Sequence, residues 1–262
     1  MILFFDDGSE FDYKLRINLI KQKYKLIVIK LRHIHEWKFY LEQDCHQNLK
    51  GFIACPLNKF YDMHQIIGLY LNNISFSDYF DSNYEASSWY SMLSWISHTT
   101  PNNFSDLGCL KHVNHYQITH SLRQNGLTES VKPPSHLAHC IGNNVFASTI
   151  SCKISILPPK VAKALTNTLN KNQICKGQFH LNYYDKKWHF CKFDINPDFD
   201  LCAFPNEFIY QAIGKHLCTN KQTKWLKFCK SIPKLKNAAP SSNYINKELL
   251  PKVTGCFYEP AC

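Results

Sequence analysis

Residues 186–204, KKWHFCKFDINPDFDLCAF, decide how this sequence is interpreted. They place Asp194, Asn196 and two further aspartates directly after an apolar, strand-like run. Carboxylate and carboxamide oxygens at a strand end are the ligands that a hard divalent cation prefers. The same residues around Pro197 also favour an Asx-type turn after a β-strand. Taken alone, the stretch fits the turn better than the metal site.

The flanking segments predict a hairpin between two helices. Residues 177–197 indicate two strands joined by a turn at 184–187, Tyr-Asp-Lys-Lys. The preceding segment 157–169, LPPKVAKALTNTL, has prolines at its start and an apolar face, which predicts a helix. Residues 204–217, FPNEFIYQAIGKHL, predict another helix after the hairpin.

The N-terminal part predicts an α/β unit. A short apolar strand in MILFFDD (1–7) is followed by helical spacing in residues 10–24 and a β-branched strand in KLIVIKL (25–31). Strand, helix and strand within about 30 residues are typical of a parallel sheet. Further along, residues 110–125 predict a helix, and the alternating residues 144–157 predict a single strand.

Composition limits the class of protein. With 262 residues, 45% of them hydrophobic, the chain can build one large domain or two small ones. No apolar run approaches the roughly 20 residues of a membrane span, and the start MILFFDDGSE lacks a secretory signal, so we expect a cytoplasmic protein. The net charge of +10 favours an acidic partner, whether nucleotide, acidic peptide, nucleic acid or membrane surface.

The 12 cysteines and 13 histidines are scattered rather than clustered. No CxxC pair occurs, so we expect reduced, mostly buried thiols rather than zinc sites or a disulfide scaffold. Two alternatives stay open. Cys109, His112 and His115 are spaced by three and could share a helix face as metal ligands, and His33 with His35 could also hold a metal.

Taken together, the parts resemble the ATP-grasp ligases. The family's metal-binding hairpin has a first strand that begins G-x-x-acid and a second that ends acid-x-N-P, and residues 177–197 follow this order. The family also has a Leu-Pro helix before the hairpin and a helix beneath the site after it. The branch that the chain resembles is the bacterial ligases that crosslink ribosomally made peptides, near the ribosomal-protein glutamate ligases. The resemblance is specific over 157–217 and patchy over 1–217.

The resemblance implies a fold and an activity. It implies an α/β (α+β) ATP-grasp-like fold with an N-terminal α/β domain at 1–108, a reduced ATP-grasp-like domain at 109–217 and a basic extension at 218–262. These ligases phosphorylate a carboxylate with ATP, and an amine or hydroxyl then attacks the acyl phosphate. We therefore expect an ATP-dependent ligase that acts on a peptide and uses ATP with Mg²⁺ or Mn²⁺.

The resemblance also assigns site residues. Asp194 and Asn196 match the second pair of metal ligands, and His180 stands where the family has an aspartate. A neutral imidazole suits Mn²⁺ better than Mg²⁺. Lys132, in SVKPP, resembles a remnant of the strand whose lysine contacts ATP.

Two departures from the family leave an alternative function open. The turn of the hairpin is one residue longer than the family pattern, and the interval from Leu127 to Gly142 is too short for a lobe that covers ATP. The alternative is a catalytically inactive ATP-grasp relative that binds an acidic peptide or a partner protein. Its basic tail, KQTKWLKFCKSIPKLK (221–236), has an amphipathic pattern that suits an acidic partner, a membrane surface or docking on the core. Nucleic acid is disfavoured for lack of a recognisable motif, and a homo-oligomer is left open.

Residues 4–8, FFDDG, indicate a different class of enzyme. They resemble the start of polysaccharide deacetylases, in which the second aspartate and two later histidines hold a metal. Only His98 stands at a plausible distance, and no second histidine follows it. A strand-to-loop turn at Asp6, Asp7 and Gly8 is the simpler expectation.

Overall fold

The computed structural model describes most of the chain up to Cys218. The described residues are 1–43, 49–57, 59–72, 76–100, 102–105, 115–197, 199 and 202–218. They divide into two compact units, one formed by Met1–Asn102 with Cys218 and the other by Asn103–Leu217. The predicted boundary at 108 and all of the basic extension after Cys218 lie outside the described residues, so the three-part division stays a prediction.

The first unit is built on a short parallel sheet. Its helices and strands are β1 Ile2–Asp6, α1 Glu10–Lys21, β2 Leu26–Lys30, β3 Lys38–Gln43, β4 Leu49–Ala54, β5 Phe60–Asp62, β6 Gly68–Tyr70, α2 Asn83–Thr99 and β7 Asn102–Phe104, of which Asn102 alone belongs to this unit. The sheet order is β2-β1-β6-β7, and β1 is parallel to both of its neighbours. All five residues of β1 are buried, as expected for a central parallel strand. The predicted strand–helix–strand opening is confirmed.

Local sequence explains where the first helices begin. The Ser9 hydroxyl accepts a hydrogen bond from the Asp12 backbone N–H at 3.1 Å, so Ser9 caps α1. Ser82 caps α2 in the same way through the Glu85 N–H. A separate antiparallel sheet in the order β3-β4-β5 completes the described part of this unit.

The second unit is a six-stranded, mainly antiparallel sheet with helices. Its elements are α3 His115–Gln124, β8 Thr128–Glu129, β9 His136–Ile141, β10 Asn144–Thr149, β11 Ile154–Ser155, α4 Pro159–Lys171, β12 Lys176–Tyr184, β13 Lys187–Asp194 and α5 Asn206–Cys218, whose last residue belongs to the first unit. The sheet order is β11-β10-β9-β12-β13-β8. The predicted hairpin is β12 and β13, and the predicted helices around it are α4 and α5.

The predicted single strand at 144–157 is wrong in one respect. The chain turns back after Thr149, and Cys152 adopts a left-handed φ of 57°, so β10 and β11 pair as an antiparallel hairpin. The Thr149 N–H donates to the Lys153 carbonyl at 2.8 Å and closes the turn. Alternating apolar residues continue through this turn, which is why the sequence pattern concealed it.

One face of the large sheet forms the core of the second unit. Ile118 and Leu122 of α3 and Leu165 of α4 pack with Phe179 and Phe190 of the hairpin, and all are essentially inaccessible. Because side chains alternate along a strand, the residues between these core positions lie on the opposite face. That face carries the polar residues of the hairpin.

Two expectations about membranes and thiols can be compared with the structure. Within the part of the chain that the structure describes, no helix has both the length and the apolar character to cross a bilayer. The seven described cysteines are free thiols, but only Cys55 and Cys140 are buried, so the expectation of mostly buried thiols is wrong for the described residues. Cys109 and His112 of the open metal alternative lie outside the described residues, whereas His115 begins α3.

Candidate functional site

The hairpin β12–β13 carries four polar side chains that we call the hairpin cluster: Gln178, His180, Lys192 and Asp194. In the strand register, Gln178 pairs with Asp194 and His180 pairs with Lys192. Directly paired residues lie on one face of an antiparallel sheet. The cluster is therefore assembled by backbone pairing alone, at the end of the hairpin away from its turn.

The turn and a bulge set this register. Asp185 and Lys186 form a tight two-residue turn, both with left-handed φ values, between Tyr184 and Lys187. The register shifts between His180 and Leu181, so that Cys191 is the extra residue of β13. The expected longer turn is therefore wrong: the extra residue lies in a bulge of β13, and Lys192 and Asp194 face the same side as His180.

Asp194 is held by two nitrogen groups. His180 Nε2 lies 2.8 Å from Asp194 Oδ2, and Lys192 Nζ lies 2.7 Å from Oδ1. Gln178 Nε2 lies 3.2 Å from His180 Nε2 and extends the network. Partial burial alone would raise the pKa of Asp194, but Lys192 and His180 outweigh it and hold the pKa below its ordinary value. Asp194 is therefore ionised and already neutralised by neighbouring groups.

The donor set can be tested for its fit to a divalent cation. Asp194 and the exposed Asn196 offer the hard oxygen ligands that Mg²⁺ and Mn²⁺ prefer, and His180 offers a softer nitrogen. Lys192 occupies one carboxylate oxygen, yet its side chain is 62% exposed and free to swing into solvent. The residues therefore fit a cation on condition that Lys192 leaves Asp194. A bound cation there would neutralise phosphate charge.

Lys132 lies at the other end of the hairpin. Its ammonium stacks 4.2 Å over the ring of Tyr184, next to the turn. Tyr184 is four residues along β12 from His180, which corresponds to about 13 Å of strand, whereas the Lys132 carbonyl lies 3.6 Å from Cys191 Sγ, next to Lys192. The loop of Lys132 is anchored, because Asn182 donates to the Pro133 carbonyl and the Ser135 N–H donates to Leu181. In this conformation Lys132 is thus separate from His180, Asp194 and Asn196.

A second group of titratable side chains lies in the first unit, at the carboxyl end of β1. Ligand atoms of Asp6, Asp7 and Asp12 lie within 4.8 Å of one another, and among the described residues this is the one such group of His, Cys, Asp or Glu. We call it the carboxylate cluster. A cavity of about 280 Å³ adjoins it and is lined by Asp6, Asp7, Gly8, Tyr13, Arg16, Lys30 and Arg32.

Hydrogen bonds within the loop account for the carboxylate cluster. Asp6 accepts from the Gly8 N–H at 2.9 Å, and Asp7 accepts from the Ser9 N–H at 2.7 Å. Gly8 has a φ of +87°, as an Asx-type turn requires. Asp12 accepts from the Tyr70 hydroxyl at 2.6 Å and from the Asp7 N–H at 3.2 Å. The expected strand-to-loop turn is confirmed, and the His98 side chain needed for a deacetylase lies outside the described side chains.

Burial dominates the chemistry of Asp12. The residue is 1% exposed, and burial raises the pKa of its carboxyl to about 7, although the Tyr70 hydrogen bond acts in the opposite direction. Asp6 is also buried and lies 3.7 Å from Arg16 Nε. The other histidine pair considered for a metal, His33 and His35, lies beside Glu36. His33 Nδ1 is 3.2 Å and His35 Nε2 is 4.0 Å from Glu36 Oε1.

Comparisons by sequence give no relatives: no family model matches the chain, and no curated protein matches it either. A comparison of structures does find similar proteins. The macrocyclase MdnC from Microcystis aeruginosa, solved with precursor peptide MdnA, has a TM-score of 0.62 at 15% identity over 84% of this chain and 99% of its own. The Chryseobacterium gregarium RiPP-associated ATP-grasp ligase, solved with ADP and a leader and core peptide, reaches 0.65 at 9% identity over 85% and 98%.

This chain has the fold of the ATP-grasp ligases. The ligase PsnB, solved with a minimal precursor, Mg and ADP, gives a further match with a TM-score of 0.58, 8% identity and coverage of 82% and 98%. The resemblance drawn from residues 157–217 is thereby confirmed for the fold. The roles of Lys132, His180, Asp194 and Asn196 stay predictions, since identities this low establish fold alone.

Proposed function

We propose that this chain is an ATP-dependent carboxylate–amine or carboxylate–hydroxyl ligase that acts on a peptide. The observation that carries the proposal is the fold, because the chain matches nearly the full length of ligases solved with precursor peptides and adenine nucleotides. The hairpin cluster adds oxygen ligands at the strand position that the family uses. The net charge of +10 supports an anionic partner such as ATP or an acidic peptide.

The proposed chemistry runs through an acyl phosphate. The γ-phosphoryl group of ATP moves to a substrate carboxylate, and ADP leaves. The amine or hydroxyl of the peptide then attacks the acyl carbon, loses its proton and expels phosphate. In this proposal Asp194 and Asn196, with His180, would hold Mg²⁺ or Mn²⁺ beside the phosphates.

Lys132 enters the proposal as an ATP contact with less support than Asp194. Its ammonium lies over Tyr184, about 13 Å of strand from His180, while its carbonyl lies 3.6 Å from Cys191 Sγ, so the Lys132 side chain would have to turn towards the cluster. A matched pair of variants separates the two roles. Loss of nucleotide binding in both Asp194→Ala and Lys132→Ala indicates one continuous site, whereas loss in Asp194→Ala alone removes Lys132 from it.

The test is calorimetric titration with ATP, first with Mg²⁺ and then with Mn²⁺. We expect saturable binding that requires the metal and disappears in Asp194→Ala. Equal nucleotide binding by the parent and by Asp194→Ala would remove the hairpin from the proposed site. ATP consumption with a candidate acidic peptide, followed by a mass loss of one water in the peptide, is the expected activity.

A second candidate is an inactive ATP-grasp relative that binds an acidic peptide or a partner protein. It is favoured by the pairing of Asp194 with both Lys192 and His180, which leaves the carboxylate neutralised without a metal. The short interval between Leu127 and Gly142, which holds only β8, a loop and β9, favours it too. Failure to bind ATP at millimolar concentration, together with retained peptide binding, would select this candidate.

A further inference from the structure

The open edge of the large sheet carries apolar side chains that are half to almost fully exposed. Ile150, Ile154 and Ile156 are 51%, 55% and 91% exposed, although each is a large β-branched residue. They lie in and around β11, which is the end strand of the sheet order among the described strands. Edge strands of soluble proteins are normally protected against pairing with another chain, and apolar exposure at an edge marks an interaction surface.

The backbone of this edge is oriented for pairing. Thr149 and Lys153 form the hydrogen-bonded pair that closes the β10–β11 turn. Hydrogen-bonded and non-hydrogen-bonded pairs alternate along an antiparallel ladder. Ile154 pairs with Ser148 in the next, non-hydrogen-bonded position, so the N–H and C=O groups of Ile154 point away from β10, and Ile156 follows directly after the end of β11. An incoming extended segment would meet these groups directly.

The register places the edge on the same face as the hairpin cluster. Ile154 pairs with Ser148, Ser148 with Leu137, Leu137 with His180, and His180 with Lys192, in one row across the sheet. Residues that pair directly share a face. A strand added beyond β11 would lie four strand spacings, or about 19 Å, from His180. Its side chains would therefore face the same side as the proposed reaction centre.

The charge around this edge selects the occupant. Residues 130–184 contain no Asp or Glu and include six lysines. Lys153, Lys160 and Lys163 are exposed, and the first turn of α4, with its positive dipole end, follows β11 directly. An acidic segment is therefore attracted to this edge.

Two other occupants fit the charge poorly. A second copy of the chain would bring the same lysines against each other. The chain's own residues 219–262 contain eight lysines and two glutamates, so they carry charge of the same sign as the edge. Both occupants would be opposed by like charge.

We propose that β11 is a docking edge for an acidic, extended peptide segment, which adds to the large sheet as a seventh strand and inserts apolar side chains against Ile154 and Ile156. Main-chain hydrogen bonds would supply affinity, and alternate side chains would supply specificity. The inference rests on the proposed peptide-directed function, since it separates the docked segment of the peptide from the segment that reacts at the hairpin cluster.

The test needs no nucleotide, so its failure is distinguishable from failure of the ligase proposal. Fluorescence anisotropy would follow the full chain binding a labelled short peptide in which valine and glutamate alternate. We expect saturable binding that weakens at least about tenfold in the double variant Ile154→Ser/Ile156→Ser, a change of about 1.4 kcal/mol. Val131→Ser is the matched control, because Val131 is 99% exposed and precedes β9 in the chain rather than lying at β11.

Peptide variants test the mode of binding. Two peptides are compared, one N-methylated at the odd amides and one at the even amides. The peptide whose methylated amides face β11 should lose binding, because its hydrogen-bond donors to the strand are removed. Replacement of glutamate by lysine should abolish it by charge. Equal binding of the glutamate and lysine peptides, equal binding by the double variant, or no binding of the valine–glutamate peptide would each overturn the proposal. A dimer in sedimentation analysis that the double variant dissociates would assign the edge to a second copy instead.

Discussion

The carboxylate cluster of the first unit and the hairpin cluster of the second each hold an aspartate whose pKa is shifted, and the two shifts have opposite directions. Asp12 is buried and receives hydrogen bonds from uncharged groups, the Tyr70 hydroxyl and the Asp7 N–H, so burial raises its pKa to about 7. Asp194 is partly exposed and lies between Lys192 and His180, which lower its pKa despite the effect of burial. Where the donors are uncharged, burial sets the direction of the pKa shift, whereas the cationic Lys192 with the His180 contact reverses it.

This difference bears on function. A carboxyl whose pKa is raised to about 7 is partly protonated at neutral pH and makes a poor cation ligand. Asp194 is ionised, lies at a strand end and shares its charge with a lysine that is largely in solvent. The acidic triad that geometry alone would choose for a metal is thus less suited to one than the hairpin predicted from the sequence.

The largest expected effect concerns Asp12 and the pH dependence of stability. Its folded pKa of about 7 lies above the ordinary value of 3.8, so the folded state binds this proton more tightly. The resulting stabilisation is fully present below about pH 4 and is lost as the pH rises through 7. Between these values the free energy of unfolding should fall by on the order of 4 kcal/mol relative to Asp12→Asn. Denaturant unfolding over this pH range measures the difference.

The control for this prediction lies in the same helix. Glu10 in the first turn of α1 is exposed, so Glu10→Gln should leave the pH dependence close to that of the parent. Tyr70→Phe removes the hydrogen bond that lowers the pKa of Asp12, so the loss should move to higher pH. Identical pH profiles for the parent and Asp12→Asn would show that burial does not control this carboxyl.

The next largest effect is a loss of stability in the hairpin of the second unit, caused by a substitution at Gly177. A Cβ at Gly177 would lie 2.3 and 2.6 Å from ring atoms of Phe193 and 3.4 Å from the Asp194 carbonyl. Gly177→Ala should therefore destabilise the second unit by about 1–3 kcal/mol, the usual cost of overpacking. Hydrogen exchange should localise the loss to β12 and β13.

A compensating change tests the cause of this effect. Phe193→Leu in the Gly177→Ala background removes the clashing ring atoms and should recover part of the lost stability. No recovery would place the cost in the backbone rather than in the ring contact. The protection of β1 and α1 amides should stay unchanged in both variants, because Gly177 and Phe193 belong to the second unit.

Local patterns predicted much of this fold. The tight turn at Asp185 and Lys186, the prolines that open α4 and the buried strand β1 each depend on neighbouring residues alone. The residues of β9 give a weaker strand pattern, because histidines interrupt its apolar residues, and one of them, His139, is fully buried. The turn at Cys152 escaped because no glycine marks its left-handed residue.

The candidate site was predictable in part. The position of Asp194 and His180 on facing strands followed from the hairpin pattern, and their contact is present. Lys192 was missed, although its place two residues before Asp194 puts it on the same strand face. The convergence of Asp12 on Asp6 and the separation of Lys132 from Asp194 depend on loop paths and register, which a linear pattern does not specify.

The smallest expected effect decides whether Lys192 acts as a competing cation. The Lys192–Asp194 pair is largely exposed, so Lys192→Met should change stability by less than about 1 kcal/mol. The same variant removes the ammonium from Oδ1 of Asp194, and the pKa of that carboxyl should rise towards its ordinary value. Mn²⁺ affinity, measured by calorimetry on the full chain, should increase about tenfold, because the metal no longer displaces a bound charge.

Lys187→Met separates this local competition from the general positive charge of the protein. Lys187 lies at the turn end of β13 and is exposed, so its removal lowers the net charge by the same amount without touching Asp194. If both variants bind Mn²⁺ equally more tightly, long-range charge explains the gain and Lys192 has no special role. A gain confined to Lys192→Met would mean that the Lys192 ammonium occupies Asp194 in place of a metal. A cation that binds together with nucleotide would then displace it. Loss of that gain in Lys192→Met/Asp194→Ala would then place the cation on Asp194 itself.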